Sequence, residues 1–251
     1  MMIKIMKYPG AKNAAIDDIN YNYIKTGKKY FIDIFGGSGT VLLNIDSGNK
    51  VYNDKDPELA NLFKVIKYSY PELNSMLMKI TKTKETFLNY YENKIAIDFP
   101  RDNVYSAFLT FYKYNVSFGG MGETYNTREK SIYTNLVRKI DLLDHIKMEI
   151  KKWTVENRDY AYILKKYDSE DAFFYLDPPY PGKNWYNFNF THEDFIQLKK
   201  LLMEISGKYL LNFYAGEEIE KLFGNPSFKR KYRTGNNQND GYKYVYFYTN
   251  F

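Results

Sequence analysis

The chain has 251 residues, carries 36 Lys+Arg against 30 Asp+Glu for a formal charge of +6, and contains no cysteine and two histidines, His145 and His192. Disulfides and thiolate metal sites are excluded, and the histidines are too few for a structural zinc site. The length suits one large α/β domain, or one domain with a sizeable insertion. No apolar run approaches a membrane span and Met1–Gly10 has no apolar signal core, so a soluble, cytosolic protein is expected. The basic surplus lies mostly between residues 60 and 158, with a second knot at Lys229, Arg230, Lys231, Tyr232 and Arg233. Cations interleaved with aromatics suit phosphate neutralisation and base stacking. A solvated lysine-rich face explains the same pattern.

Along the chain, Lys29–Phe35 reads as a strand, followed by the turn Gly36-Gly37-Ser38-Gly39 and a helix start at Thr40–Asn44. A second strand, Lys50–Asn53, leads through Asp54-Lys55-Asp56 into a helix opening at Pro57, with Glu58 in its first turn. This βαβα opening predicts an α/β fold with a mostly parallel sheet. From about Pro71 to Ile150 the rhythm is helical instead: Leu73, Met76, Leu77 and Ile80, then Ala107, Phe108, Phe111 and Tyr112, then Leu136, Val137, Ile140, Leu143 and Ile146. A Gly-, Asn- and Thr-rich loop is predicted at Asn115–Thr127. Strands follow at Trp153–Val155, Phe173–Leu176 and Tyr209–Tyr214, with helices at Tyr160–Tyr167 and Glu193–Ile205 and a final hairpin ending in Tyr242–Thr249.

Two segments carry chemistry. The Phe173–Leu176 strand delivers Asp177-Pro178-Pro179-Tyr180 at its carboxyl end, where ligands of open α/β sheets bind. Pro178 and Pro179 remove two backbone donors and stiffen the turn. A carboxylate, an acceptor-only proline carbonyl and an aromatic ring then point outward, a set that suits the exocyclic amine of a flat base. An ordinary strand exit with a proline stop would look similar. The second segment is Asp33-Ile34-Phe35-Gly36-Gly37-Ser38-Gly39 with Asp54 about 19 residues after Phe35. Glycines allow close backbone approach, and a carboxylate after the next strand can accept both ribose hydroxyls. The turn lacks phosphate-loop and dinucleotide spacing, which points to a nucleoside ligand without pyrophosphate, such as S-adenosylmethionine. Asp56 is the second candidate for that ribose carboxylate, and a tight turn with a helix-capping Asp54 is the plainer alternative.

Together with Lys7-Tyr8-Pro9-Gly10-Ala11-Lys12 near the amino terminus, these motifs resemble the Dam-like, alpha-class DNA adenine-N6 methyltransferases. Further matches are Asn53–Leu59, Asn115–Gly120, Asn157–Tyr160 and Lys166–Tyr180. The resemblance implies a Rossmann-like, mostly parallel sheet of the S-adenosylmethionine-dependent methyltransferase type. It implies a catalytic part at 1–60 and 153–251, with a mainly helical target-recognition region inserted at 61–152. It places Tyr8 and Lys12 near the cofactor, Lys12 at its carboxylate end. Asp33, Phe35, Gly37 and Gly39 would hold the methionine part, Asp54 the ribose, and Asp159 with Tyr160 the adenine. Asp177, Pro178, Pro179 and Tyr180 would receive a flipped target adenine, with Asp177 also facing the cofactor. Asp159 is equally placed to cap the helix after it. Tyr186, Phe188 and Phe190 are aromatics near the turn that read more simply as core.

The implied partner is double-stranded DNA, with no metal and no membrane. The implied setting is the cytoplasm of a bacterial, archaeal or viral system, as a monomer or weak dimer, with a restriction endonuclease encoded nearby. Two departures stand out. Ala11 replaces a usual glycine, and the loop after Asn115 lacks the Arg-x-Asn and Phe-Asn-Val-Pro pieces of GATC-recognising members. Cytosine N4, adenine in RNA, a protein amide and an inactive binding module are the competing readings.

Overall fold

In the computed structural model the described residues are 2–10, 12–81, 83, 85–86, 102–117, 129–180, 188–233 and 242–251. They fall into two units: Met1–Ala11, Gly37–Leu43 and Pro57–Val155 form one, and Lys12–Gly36, Asn44–Asp56 and Glu156–Phe251 the other. The helical unit thus takes in the amino-terminal segment and the second half of the glycine turn, both of which the sequence reading assigned to the catalytic part.

Apart from Thr154 and Val155 of one edge strand, the seven-stranded sheet belongs to the second unit. Its strands are β1 (Tyr30–Asp33), β2 (Asn49–Asn53), β3 (Thr154–Glu156), β4 (Ala172–Leu176), β5 (Lys208–Tyr214), β6 (Phe228–Arg233) and β7 (Tyr242–Thr249), in the order β3-β2-β1-β4-β5-β7-β6. β1 pairs in parallel with β2 and β4, β4 with β5, and β7 runs antiparallel between β5 and β6. All five residues of β4 are buried, as expected for a central strand covered on both faces.

Alternation along the strands separates two faces. On one, Ile32, Phe174, Leu176, Leu211 and Phe213 pack with Ile163, Leu164, Phe195, Leu198 and Leu202. Those last residues come from the helices Tyr160–Tyr167 and His192–Glu204. On the other, Phe31, Phe173 and Tyr175 stack, and Tyr23 of the helix Ile16–Thr26 meets Phe31 and Phe173 edge-on. That helix stops at Gly27, whose φ of 64° is a left-handed cap. The helix His192–Glu204 starts in a capping box made by Thr191 and Asp194.

The other unit contains the helices Pro57–Tyr68, Tyr70–Thr81, Asn103–Val116 and Glu129–Lys152. The helical spacing read from sequence matches their buried stripes, including Leu73, Leu77 and Ile80, Phe108 and Phe111, and Leu136, Ile140 and Leu143. Phe63 packs against Trp153 at 5.6 Å, and Lys67 Nζ donates to the Trp153 carbonyl at 2.6 Å. One expectation fails at its edge. Asn115 and Val116 end a helix instead of starting a loop, because both are buried and Asn115 Nδ2 donates to the Phe111 carbonyl at 2.9 Å. Residues 118–127 of the expected loop lie outside the described residues, as does Tyr186.

Asn53, the last residue of β2, is 1% exposed. Its Nδ2 donates to the carbonyls of Ile34 (2.9 Å) and Arg158 (3.1 Å), and its Oδ1 accepts from Arg158 N (2.9 Å). One side chain therefore ties together three segments that leave the carboxyl edge of the sheet. Asn53→Ala would leave these buried groups unpaired, for a loss of about 3 kcal/mol. Urea unfolding should show a lower midpoint with an unchanged slope.

Candidate active site at the carboxyl edge of the sheet

From β1 the chain steps outward to β2, whereas β4 lies on the opposite side of β1. Connections therefore diverge above β1 and β4, leaving the crevice where open α/β sheets bind ligands. Asp33 is the last residue of β1, Asp54 follows β2, and Asp177–Tyr180 follows β4. Asp33 and Tyr175 are partners in the β1–β4 register, so their side chains share a face.

Asp177 is held by three donors. Lys12 Nζ lies 2.7 Å from Oδ2, with only 8% and 18% of the two side chains exposed. Asn212 Nδ2 donates to Oδ1 at 2.9 Å, and Tyr180 Oη donates to the same oxygen at 3.0 Å. Asn212 Nδ2 also reaches Tyr180 Oη at 3.2 Å. Burial and the Asp177 charge push the Tyr180 hydroxyl well above its ordinary pKa, so it stays a donor. A carboxylate has about four lone-pair directions; three are occupied. The Tyr180 ring is fixed edge-on to Tyr214 at 4.6 Å, and Lys12 Nζ lies 4.9 Å from its centroid. Pro178 is buried.

Asn212 was not singled out from sequence. It is fully buried on β5. The available signal was a single amide inside the apolar run Leu210–Phe213, since a buried polar group demands partners. For Lys12 the resemblance implied a place at the cofactor's carboxylate end; here its ammonium sits on Asp177.

Asp33 is 1% exposed and its Oδ1 has no hydrogen-bond partner. Burial, then the charges of Asp177 and Asp54, raise its pKa well above the ordinary carboxylate value, against a backbone hydrogen bond from Phe35. Tyr175 Oη and Asn212 Oδ1 are likewise buried and unpartnered. The orphaned oxygens of Asp33 and Asn212 fit a ligand that brings hydrogen-bond donors, and the nearby Asp54 and Asp177 charges favour a cationic one, such as the ammonium and sulfonium of S-adenosylmethionine.

Asp54 Oδ1 accepts from Asp56 N at 2.8 Å, and Asn157 Nδ2 donates to the Asp54 and Lys55 carbonyls at 2.8 and 3.1 Å. Asp159 caps the following helix through Ala161 N at 3.0 Å and also meets Lys55 Nζ at 3.2 Å. The 157–159 segment is thereby fastened to the turn that carries Asp54. Tyr160 packs against Phe35 (6.2 Å) and Phe190 (5.2 Å), and its hydroxyl is turned to Gln197 and the Asp194 carbonyl. In the helical unit, Gly37 has φ 49° and a Cβ there would lie 2.9 Å from the Tyr8 ring. Gly39 has φ 68° and a Cβ would lie 2.6 Å from Phe63. Both positions require glycine for backbone and space.

A mostly parallel sheet with an antiparallel strand inserted beside β5, carrying acidic residues at the ends of β1, β2 and β4, matches the fold expected of S-adenosylmethionine-dependent methyltransferases. The family model for D12 class N6 adenine-specific DNA methyltransferases matches residues 8–236, and the chain belongs to that family. Its members are enzymes that methylate adenine in DNA. No curated protein matches the chain. Among the described residues, no group of three or more His, Asp or Glu is placed to hold a metal ion. No helix there is long and apolar enough to cross a membrane.

The raised pKa of Asp33 has a stability consequence. The unfolded chain releases this proton near pH 4 while the folded chain retains it, so folding stability falls as pH rises from there towards the raised folded value. Asp33→Asn removes that penalty. The cofactor-free variant should melt above wild type at pH 7, with the gap closing below about pH 4, as followed by thermal unfolding from pH 3.5 to 8.

Proposed function

We propose that this enzyme is a site-specific methyltransferase acting on an adenine flipped out of double-stranded DNA, with Asp177, Pro178, Pro179 and Tyr180 receiving the base. The observation that carries the reading is the tethered Asp177 carboxylate, which keeps one acceptor direction open beside a fixed aromatic ring. The adenine amine is a poor nucleophile because its lone pair is delocalised into the ring. Asp177 and the Pro178 carbonyl would accept its two N–H groups, which draws the lone pair out of conjugation and aims it. Tyr180 would stack on the base and offset part of the cost of unstacking, a few kcal/mol. Lys12 and Asn212 keep Asp177 from rotating away from the amine, which is the kind of orientation that supplies much of an enzymic rate. The amine's proton departs after transfer, so Asp177 need not be a strong base.

S-adenosylmethionine, when bound, supplies the electrophilic methyl group and would leave as S-adenosylhomocysteine, its S–CH3 bond breaking as the N–CH3 bond forms and the amine's proton passing to solvent. Asp33 and Phe35 would bind its methionine part, Asp54 its ribose, and Asp159 and Tyr160 the neighbourhood of its adenine. Roles for Tyr8, Gly37 and Gly39 rest on the family resemblance. The unit containing Pro57–Val155 would read the target sequence. A restriction-modification setting in the cytoplasm, with a nearby endonuclease, suits a sequence-specific enzyme of this family.

Asp177→Ala should lower kcat by about 10³-fold or more, while calorimetry shows S-adenosylmethionine binding within about threefold of wild type. Asn212→Leu should cost about 10²-fold in kcat with KM little changed, the mark of misplacement. Wild-type turnover in Asp177→Ala would sink the assignment. Nucleoside analysis of the product separates N6-methyladenine from N4-methylcytosine, and parallel RNA and DNA substrates separate the two polymers.

A further inference from the structure

β6 and β7 run on past the parallel sheet. β5 ends at Tyr214, opposite Val245, whereas β7 begins at Tyr242, opposite Arg233. Three residue pairs therefore project beyond the carboxyl end of β5: Lys231 with Tyr244, Tyr232 with Lys243, and Arg233 with Tyr242. At a strand rise of about 3.4 Å per residue the projection is about 10 Å. It lies on the edge that carries the Asp177–Tyr180 turn. The Tyr180 ring touches Tyr214, and Lys243 Nζ sits 4.6 Å from the Tyr214 centroid.

The projecting end is cationic and aromatic. β6 and β7 contain five lysines and arginines and no acidic residue. Farther down β6, Lys229 and Arg230 face Glu220 (3.8 Å) and Asp18 (2.8 Å). At the end, Lys231, Arg233 and Lys243 have no carboxylate within 4.0 Å among the described residues. Lys231 Nζ rests 4.5 Å from the Tyr242 ring and 5.7 Å from Tyr244, and those rings are 43% and 52% exposed. An ammonium backed by a ring keeps its charge and its N–H donors available to an anion. Lysines that guard an edge strand against aggregation would explain the charge on β6. They do not explain Tyr242 and Tyr244, whose rings are left exposed beside Lys231.

We propose that the end of the β6–β7 hairpin is a contact for the DNA phosphate backbone flanking the target base, with Lys231, Arg233 and Lys243 as the contacting cations. It rests on the reading that this enzyme acts on DNA. A polyanion is the partner that matches cations gathered at one strand end, Lys231 and Arg233 on one hairpin face and Lys243 on the other beside the Tyr214 ring that touches Tyr180.

The test is the salt dependence of binding to duplex DNA, measured by fluorescence anisotropy for wild type and for the triple variant Lys231→Gln, Arg233→Gln and Lys243→Gln. Each lost phosphate contact lowers the slope of log affinity against log salt by about 0.9, so wild type should lose about 40-fold more affinity than the variant between 50 and 200 mM salt. S-adenosylmethionine affinity and kcat at saturating DNA should stay within about twofold of wild type, because a backbone contact of this kind acts uniformly on ground and transition states. An unchanged slope in a variant that still binds S-adenosylmethionine overturns the contact, and edge protection is then the explanation. If the triple variant does not fold, Lys231→Gln and Lys243→Gln are measured singly, each expected to lower the slope by about 0.9. Loss of the slope difference while wild type still makes N6-methyladenine overturns the hairpin alone; no methylated product from wild type overturns the DNA reading instead.

Discussion

A single carboxylate, that of Asp177, is the point on which the carboxyl edge of the sheet is organised. Lys12, Asn212 and Tyr180 all donate to it, and they come from the residue that opens the sheet unit, from β5 and from the turn itself. A half-free aspartate at a strand exit would sample several rotamers. Here each oxygen is committed, so the direction left for a substrate is fixed by the fold. The two prolines that follow extend the same constraint into the backbone, because neither has an N–H to donate.

The site is held at a cost in stability. Asp33 is buried beside Asp54 and Asp177, and its raised pKa records how unfavourable a charge is there. Buried atoms of Asp33, Tyr175 and Asn212 have no partner, which a core built for stability would avoid. Functional sites characteristically keep such unsatisfied groups. The aromatic packing on both sheet faces, from Phe31 and Phe173 on one to Phe195 and Phe213 on the other, supplies the compensating burial.

Much of this was legible in the residues. The βαβα opening, the helical stripes and the fully buried β4 follow from periodicity, because those segments bury what their pattern says they bury. The acidic turns after β1, β2 and β4 were recognisable because special chemistry at strand ends departs from core composition. Asn212 was hidden by its setting: in Leu-Leu-Asn-Phe it looks like a tolerated polar residue, and only the fold shows that β5 sets it beside Asp177. The Lys12 contact was equally invisible, since sequence does not say which distant carboxylate a lysine meets. The end of the helix at Val116 was misplaced because Asn and Ser are turn residues by propensity, and burial of Asn115 overrode it.

The arrangement around Asp177 also bears on how the protein comes into being. Two of its donors lie far apart in sequence, Lys12 ahead of β1 and Asn212 on β5, and β5 joins the sheet between β4 and β7. A chain in which only the helices and the first parallel strands have formed holds that aspartate less firmly, because Asn212 is not yet beside it. Chemical competence therefore waits for the docking of β5.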